Sequence, residues 1–316
     1  MRIASLLASA TEIVCALDLE DRLVAISHEC DHPPHVLDRP RVSRPRFDPV
    51  GLDSAAIDRA VREAMAEHGS VYVMDTERLH RVAPDLLLTQ GVCEVCAVPP
   101  SLAHQAAQAL GGRARVLSLD AHTVDGILAS IESVAAAAAV PERADRVVAR
   151  LRARIAAVRQ QVAGAPRPRV LAVEWLEPPF APGHWGPEMV TLAGGLNLVG
   201  AVGARSQEVS WAALADLDPD VLLIMPCGYG LAAARTEADR HAERLRAVAP
   251  RAVRAGRAWV LDGSAYFNRS GPRVVDGVEI LGRVLHPDRC PDVPLEGRAA
   301  VWAGQPGRGG DERLLS

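Results

Sequence analysis

"TERLHRVAPDLLLTQ", residues 76–90, decides the fold, because "SWAALADLDPDVLLIMP", residues 210–226, repeats its plan. Each copy is a short helical stretch, then Pro-Asp, then an unbroken apolar run. The proline cannot continue a helix. The run suits a strand buried on both faces, as in a parallel sheet covered by helices. Two such copies, far apart in one chain, imply two similar α/β lobes.

The flanking segments fit that plan. "RIASLL", "LVAIS", "VYVMD" and "RVLSLD" read as further strands of the first half. "SATEIVCALDLE", "IDRAVREAMAEHG" and "SLAHQAAQALGG" read as its helices, the first capped by Ser9 or Thr11 and the second closed by Gly69. Residues 123–165 are rich in Ala and Arg, with helical spacing broken at Pro141, and predict one long helix or two consecutive ones. "RVLAVEW" restarts the pattern, and "GPEMVTLAGG" starts a helix with Pro187 in its first turn. The expected organisation is an N-terminal lobe over 1–122, a helical backbone linker over 123–165, a C-terminal lobe over 166–288 and an irregular tail over 289–316. The fold class is α/β: two Rossmann-like lobes, each a central sheet flanked by helices, joined by a long backbone helix, with a ligand cleft between them.

Composition narrows the function. The chain has 316 residues, is 49% hydrophobic and carries a net charge of −4, with every basic residue apart from histidine an arginine. No basic block or interleaving of basic and aromatic residues points to nucleic acid. No apolar run is long enough to span a bilayer, so an integral membrane protein is not expected. The opening apolar stretch is interrupted by Ser5, Ser9, Thr11, Glu12 and Asp18, unlike a signal sequence, and predicts a cytoplasmic protein. Six cysteines in a reducing compartment are expected to be thiols or ligands. Neither Gly-x-Ser-x-Gly nor a Walker loop occurs.

Chemistry-capable residues gather in loops after predicted strands, where open α/β sheets bind ligands. They are "SHECDHPP" (27–34), "GVCEVCAVPP" (91–100), "LEPPFAPGHW" (176–185), "CGYG" (227–230) and "SAYFNRSGPR" (264–273). The ligand-binding candidates are Ser9, Thr11, Glu174, Trp175, Trp185, Tyr229, Tyr266, Phe267 and Arg269. Aromatic walls with an arginine suit a large, flat ligand with polar edges. The metal-ligating candidates are His28, Cys30, Cys93, Cys96, His184 and Cys227, with His32 also in a ligand loop. They suit zinc or iron, or a metal already inside a chelate. Cys93-x-x-Cys96 also reads as a redox pair or as packed loop residues. Glu12 is expected to act on the helix dipole alone, and no catalytic residue is assigned.

At these same residues the sequence resembles a known family. "IASLLASATEIVCALDLEDRLVAISHECDHPP", "PDLLLTQGVCEVCAV", "EWLEPPFAPGHW", "LAGGLN", "PDVLLIMPCGYG" and "AYFNRSGPR" are similar to class III periplasmic-binding-protein folds, the helical backbone metal receptors that bind vitamin B12 and iron siderophores. The His-x-Cys, Cys-x-x-Cys and Gly-His-Trp elements look like a branch described as cobalamin-binding or ABC-transporter substrate-binding proteins. The resemblance implies a non-catalytic receptor for cobalamin or a related metal chelate, with an ABC transporter as partner. The alternative is a metal-dependent enzyme, or a cytosolic metal-handling protein, using zinc or iron on the cysteines and histidines, with Glu174 as general base.

Overall fold

A computed structural model describes residues 1–92 and 98–304. Packing divides the chain into two units. The first is Met1–Ala157 with Arg269–Gly277, and the second is Val158–Asn268 with the residues from Val278 on.

The first unit runs β1 (Ile3–Ser5), α1 (Ala8–Ala16), β2 (Leu23–Ala25), β3 (Ser43–Pro45), α2 (Ser54–His68), β4 (Tyr72–Met74), α3 (Thr76–Val82), β5 (Leu86–Thr89), α4 (Pro100–Ala109), β6 (Arg115–Ser118), α5 (Val124–Ala137) and α6 (Pro141–Gln161). Its main sheet has the order β2-β1-β5-β6, all parallel. Every residue of β5 is buried, as an apolar run with no polar alternation requires. Leu6, Leu79, Leu87, Ala103 and Ala106 pack into one core around it. Strands β3 and β4 form a separate antiparallel pair.

The second unit runs β7 (Arg169–Val173), β8 (Trp175–Leu176), β9 (Pro179–Ala181), α7 (Gly186–Leu192), β10 (Leu196–Asn197), β11 (Gln207–Glu208), α8 (Trp211–Ala215), β12 (Val221–Ile224), α9 (Leu231–Arg240), α10 (Ala242–Val248), α11 (Pro250–Arg254), β13 (Ala258–Leu261), α12 (Gly263–Tyr266), α13 (Val274–Leu285) and β14 (Ala299–Val301). The sheet order is β10-β7-β12-β13-β14, with β12 again buried throughout. A small antiparallel sheet, β11-β9-β8, stands beside it.

The sequence repeat is a repeated set of bonds. Asp75 caps α3 by accepting from the Arg78 amide at 2.8 Å, and Ser210 caps α8 by accepting from the Ala213 amide at 3.1 Å. After each helix a non-glycine residue, Ala83 or Asp218, takes a left-handed conformation (φ 38° and 39°) that turns the chain into Pro-Asp. The Asp85 carboxylate then accepts from the Arg2 amide at 2.7 Å, and Asp220 from the Arg169 amide at 2.8 Å. The Arg2 and Arg169 guanidinium groups donate back to the carbonyls of Val82 and Leu217, at 2.9 and 2.7 Å. Each Pro-Asp thus fixes where the neighbouring strand begins, β1 in one unit and β7 in the other.

Residues 123–165 take the second of the two arrangements expected, two consecutive helices with the break at Pro141. Three sequence expectations are corrected. Ser9 and Thr11 do not cap α1: they lie inside the helix, whose N-cap, Leu7, makes no side-chain bond. Residues 269–277 pack with the first unit, not with the C-terminal lobe. The segment from 289 is not irregular throughout: β14 pairs antiparallel with β13, and Trp302, 1% exposed, donates to Asp239 at 2.7 Å.

Candidate functional site

In the first unit the candidates sit at the carboxyl end of β2. Loop 27–32 is held there largely by one side chain. The Arg41 guanidinium donates to the carbonyls of Ser27 (3.0 Å), His28 (2.7 Å) and Cys30 (3.1 Å). Ser43, at the start of β3, accepts from the His28 amide at 3.2 Å and meets the ring Nδ1 at 2.9 Å. The ring leans on Tyr72, centroids 5.2 Å apart. Burial, reinforced by Arg41, pushes the His28 imidazole down to about 4, so it is neutral at pH 7.

Its neighbour moves the other way. Burial drives the Glu29 carboxyl up to about 7, against the hydrogen bond that Tyr72 donates at 3.1 Å and the pull of Arg269. Cys30 is 1% exposed and its Sγ lies 3.1 Å from Thr11 Oγ1. Burial pushes that thiol up, which outweighs the Thr11 bond. Cys15 is likewise pushed up to about 12, first by burial and then by Glu20 and Glu12. Thiols in such surroundings are poor nucleophiles and poor ligands.

Beside this loop lies an ion cluster that the sequence reading missed. Glu12, 5% exposed, accepts from Arg273 Nε at 3.0 Å and from its terminal nitrogen at 2.6 Å. Arg269 makes a two-pronged pair with Asp31 (2.5 and 2.9 Å) and lies 3.7 Å from Glu12. Burial raises Asp31, but Arg269 and Arg273 outweigh it and hold the carboxyl below its ordinary value. Glu12 is therefore an ion-pair partner in the second turn of α1, not a helix-dipole residue. Arg269, a ligand-contact candidate from sequence, is here engaged by the protein's own carboxylates. The two arginines of "NRSGPR" were visible in the sequence, but nothing local to them names the carboxylates they meet.

In the second unit the candidates sit at the carboxyl ends of β7, β12 and β13. Trp175 and Tyr229 stack at 5.5 Å with planes 7° apart, both half-buried. The Cys227 amide donates to the Glu174 carbonyl at 2.9 Å, tying the two strand ends together. Arg298 lies over the Tyr266 ring, 5.5 Å from its centroid. His184 has a left-handed backbone (φ 51°) and its amide donates to the Ala204 carbonyl at 2.6 Å. A Cβ on neighbouring Gly183 would run into the Ser206 amide, so only glycine lets these two loops close.

Five expected contact residues are instead held inside. Ser9 (4% exposed), Thr11 (0%), Trp185 (6%), Phe267 (4%) and Cys30 fill space and bond within their own unit. Trp185 Nε1 donates to the Phe267 carbonyl at 2.7 Å, and Ser9 Oγ lies 3.4 Å from Ser270 Oγ. Those left half-exposed are His28, Glu174, Trp175, His184, Cys227, Tyr229 and Tyr266. Cys93 and Cys96 lie outside the described residues. Among the described residues no group of three or more His, Cys, Asp or Glu is placed to hold a metal ion. Among them also, no helix is long and apolar enough to cross a membrane.

Each unit is a helix-flanked sheet with a parallel core and with polar and aromatic residues at its strand ends. Residues 3–258 match the model of the periplasmic binding protein family, and the chain belongs to that family. A vitamin B12-binding protein of Vibrio cholerae is 27% identical over 281 residues, 88% of this chain and 86% of that relative. Two solved structures share the fold. The periplasmic vitamin B12 binding protein BtuF of Vibrio cholerae has a TM-score of 0.66 at 24% identity, covering 90% of this chain and 96% of its own. A periplasmic heme binding protein of Pseudomonas aeruginosa has a TM-score of 0.66 at 24% identity, covering 91% and 93%.

Proposed function

We propose that this protein is a non-catalytic receptor for a corrinoid, a cobalamin-like metal chelate. The observation that carries the reading is the relative named for vitamin B12, aligned over nearly the full length of both chains. The chemistry of the strand ends supports it. The Trp175–Tyr229 stack offers flat apolar area, and Glu174 and Tyr266 offer polar edges beside it. The metal arrives as part of the ligand, and transfer to an ABC transporter is the partnership this reading expects.

Titration of the purified chain with aquocobalamin, with cobinamide and with ferric haem, followed by absorbance and calorimetry, tests the proposal. Saturable one-to-one binding of a corrinoid is the expected result. Binding of haem with no response to either corrinoid overturns the corrinoid reading. Stoichiometric zinc or iron in the protein as purified, lost in Cys93→Ser or Cys227→Ser, would instead support the alternative of a resident metal.

A further inference from the structure

We propose that His28 is the protein's own ligand to the metal centre of the bound chelate, through Nε2, with Ser43 holding the opposite ring nitrogen and Arg41 holding the loop. The inference rests on the chelate-binding reading above.

A metal-ligating histidine needs one nitrogen fixed by a hydrogen bond and the other kept open. His28 meets both conditions. Its Nδ1 lies 2.9 Å from Ser43 Oγ, and the same oxygen accepts from the His28 amide at 3.2 Å. A hydroxyl oxygen has two lone pairs, so it can accept from both donors at once. The same hydroxyl can also donate to Nδ1, and a metal on Nε2 selects the tautomer in which Nδ1 carries the proton and Ser43 Oγ accepts it. Among the described residues Nε2 has no hydrogen-bond partner; Glu29 Oε1 stands 3.9 Å away. The side chain keeps 19% of its surface exposed, enough for a ligand to reach one edge of the ring.

The support is rigid. Arg41 grips the carbonyls of Ser27, His28 and Cys30, and its own carbonyl accepts from Arg78 at 2.8 Å. Tyr72 backs the ring on one side. One restraint would serve packing alone. Restraints on the backbone amide, the carbonyl and Nδ1 together, with Nε2 spared, fix a direction for a lone pair. The other soft candidate of this loop, Cys30, is buried and engaged by Thr11.

The chemical step is a ligand exchange. The Nε2 lone pair replaces a water molecule on one axial face of the metal. One metal–nitrogen bond forms, one metal–oxygen bond breaks, water leaves, and the oxidation state does not change.

Aquocobalamin is the probe, and aquocobalamin in excess free imidazole supplies the reference spectrum. Wild-type protein in slight excess is expected to convert the corrin spectrum to the imidazole type. His28→Ala and His28→Gln, checked for folding by circular dichroism and melting temperature, are expected to bind with the water-type spectrum. Free imidazole should then restore the adduct spectrum in the His28→Ala complex. Ser43→Ala should keep the imidazole-type spectrum with affinity about 10-fold to 100-fold weaker. A water-type spectrum in the wild-type complex, or an imidazole-type spectrum surviving in His28→Ala, overturns the ligation and leaves the receptor reading standing. No binding of aquocobalamin, cobinamide or haem by wild type overturns both.

Discussion

His28 and Glu29 are chain neighbours whose surroundings move their proton affinities in opposite directions. The folded protein resists protonating His28 from its ordinary value of 6.5 down to about 4. Stability from that residue is therefore present above pH 6.5 and lost as pH falls through that window. Glu29 holds its proton from its ordinary value of 4.5 up to about 7. Its contribution is present below pH 4.5 and lost as pH rises toward 7. Between pH 4.5 and 6.5 the two slopes oppose each other. His32 and His286, also pushed down by burial, add to the rising slope, so the variants are read against wild type. At constant ionic strength the urea midpoint should climb more steeply with pH in Glu29→Gln, and less steeply in His28→Gln. The same slope in both variants would contradict the assignment. The histidine itself was legible in sequence as a candidate side chain in a strand-end loop. Its supports were not. Arg41 and Ser43 come from "HVLDRPRVSRPRF", which has no apolar period, and they reach the loop only through tertiary folding.

Elements were legible where one local rule governs them. The two Pro-Asp strands, the glycine stop of α2 and the start of α7 at Gly186 followed from periodicity and caps. The repeat was visible as residue types, but its mechanism lay in partners 51 and 83 positions away, Asp220 with Arg169 and Asp85 with Arg2. Asp220 is the more enclosed of the two, and Arg251 also binds it at 3.0 Å. Asp220→Ala is expected to cost about 1–3 kcal/mol, with faster amide exchange at the start of β7. Asp85→Ala should cost less, with its effect at β1. Equal exchange in both strands of either variant would refute the clamp. The tail failed for a different reason: β14 is three residues long, and its Gly- and Pro-rich flanks mask it. Trp302 is the anchor of that segment. Trp302→Ala should lower stability by about 3–5 kcal/mol, read by thermal or urea unfolding.

At the scale of the molecule, the first unit is built from two stretches of chain that lie far apart in sequence. Composition and periodicity describe segments one at a time, so the return of residues 269–277 to that unit could not be read from them. The ion cluster is what it delivers: Arg273 neutralises Glu12, and Arg269 neutralises Asp31. Arg273→Met strands a buried carboxylate and should destabilise the protein by about 3–5 kcal/mol. Adding Glu12→Gln should recover most of that loss, because the carboxylate that lost its arginine is then gone while Arg269 keeps Asp31. Full additivity of the two changes in melting experiments would show that the pair does not interact. Biosynthesis gives this arrangement a direction in time. A ribosome releases residues 1–157 early, with Glu12 and Asp31 in place but their arginines not yet made. Every strand of the second unit except β14 emerges before Arg269 does. The half of the protein that is translated first is therefore the one that has to wait for the other before its charges are matched.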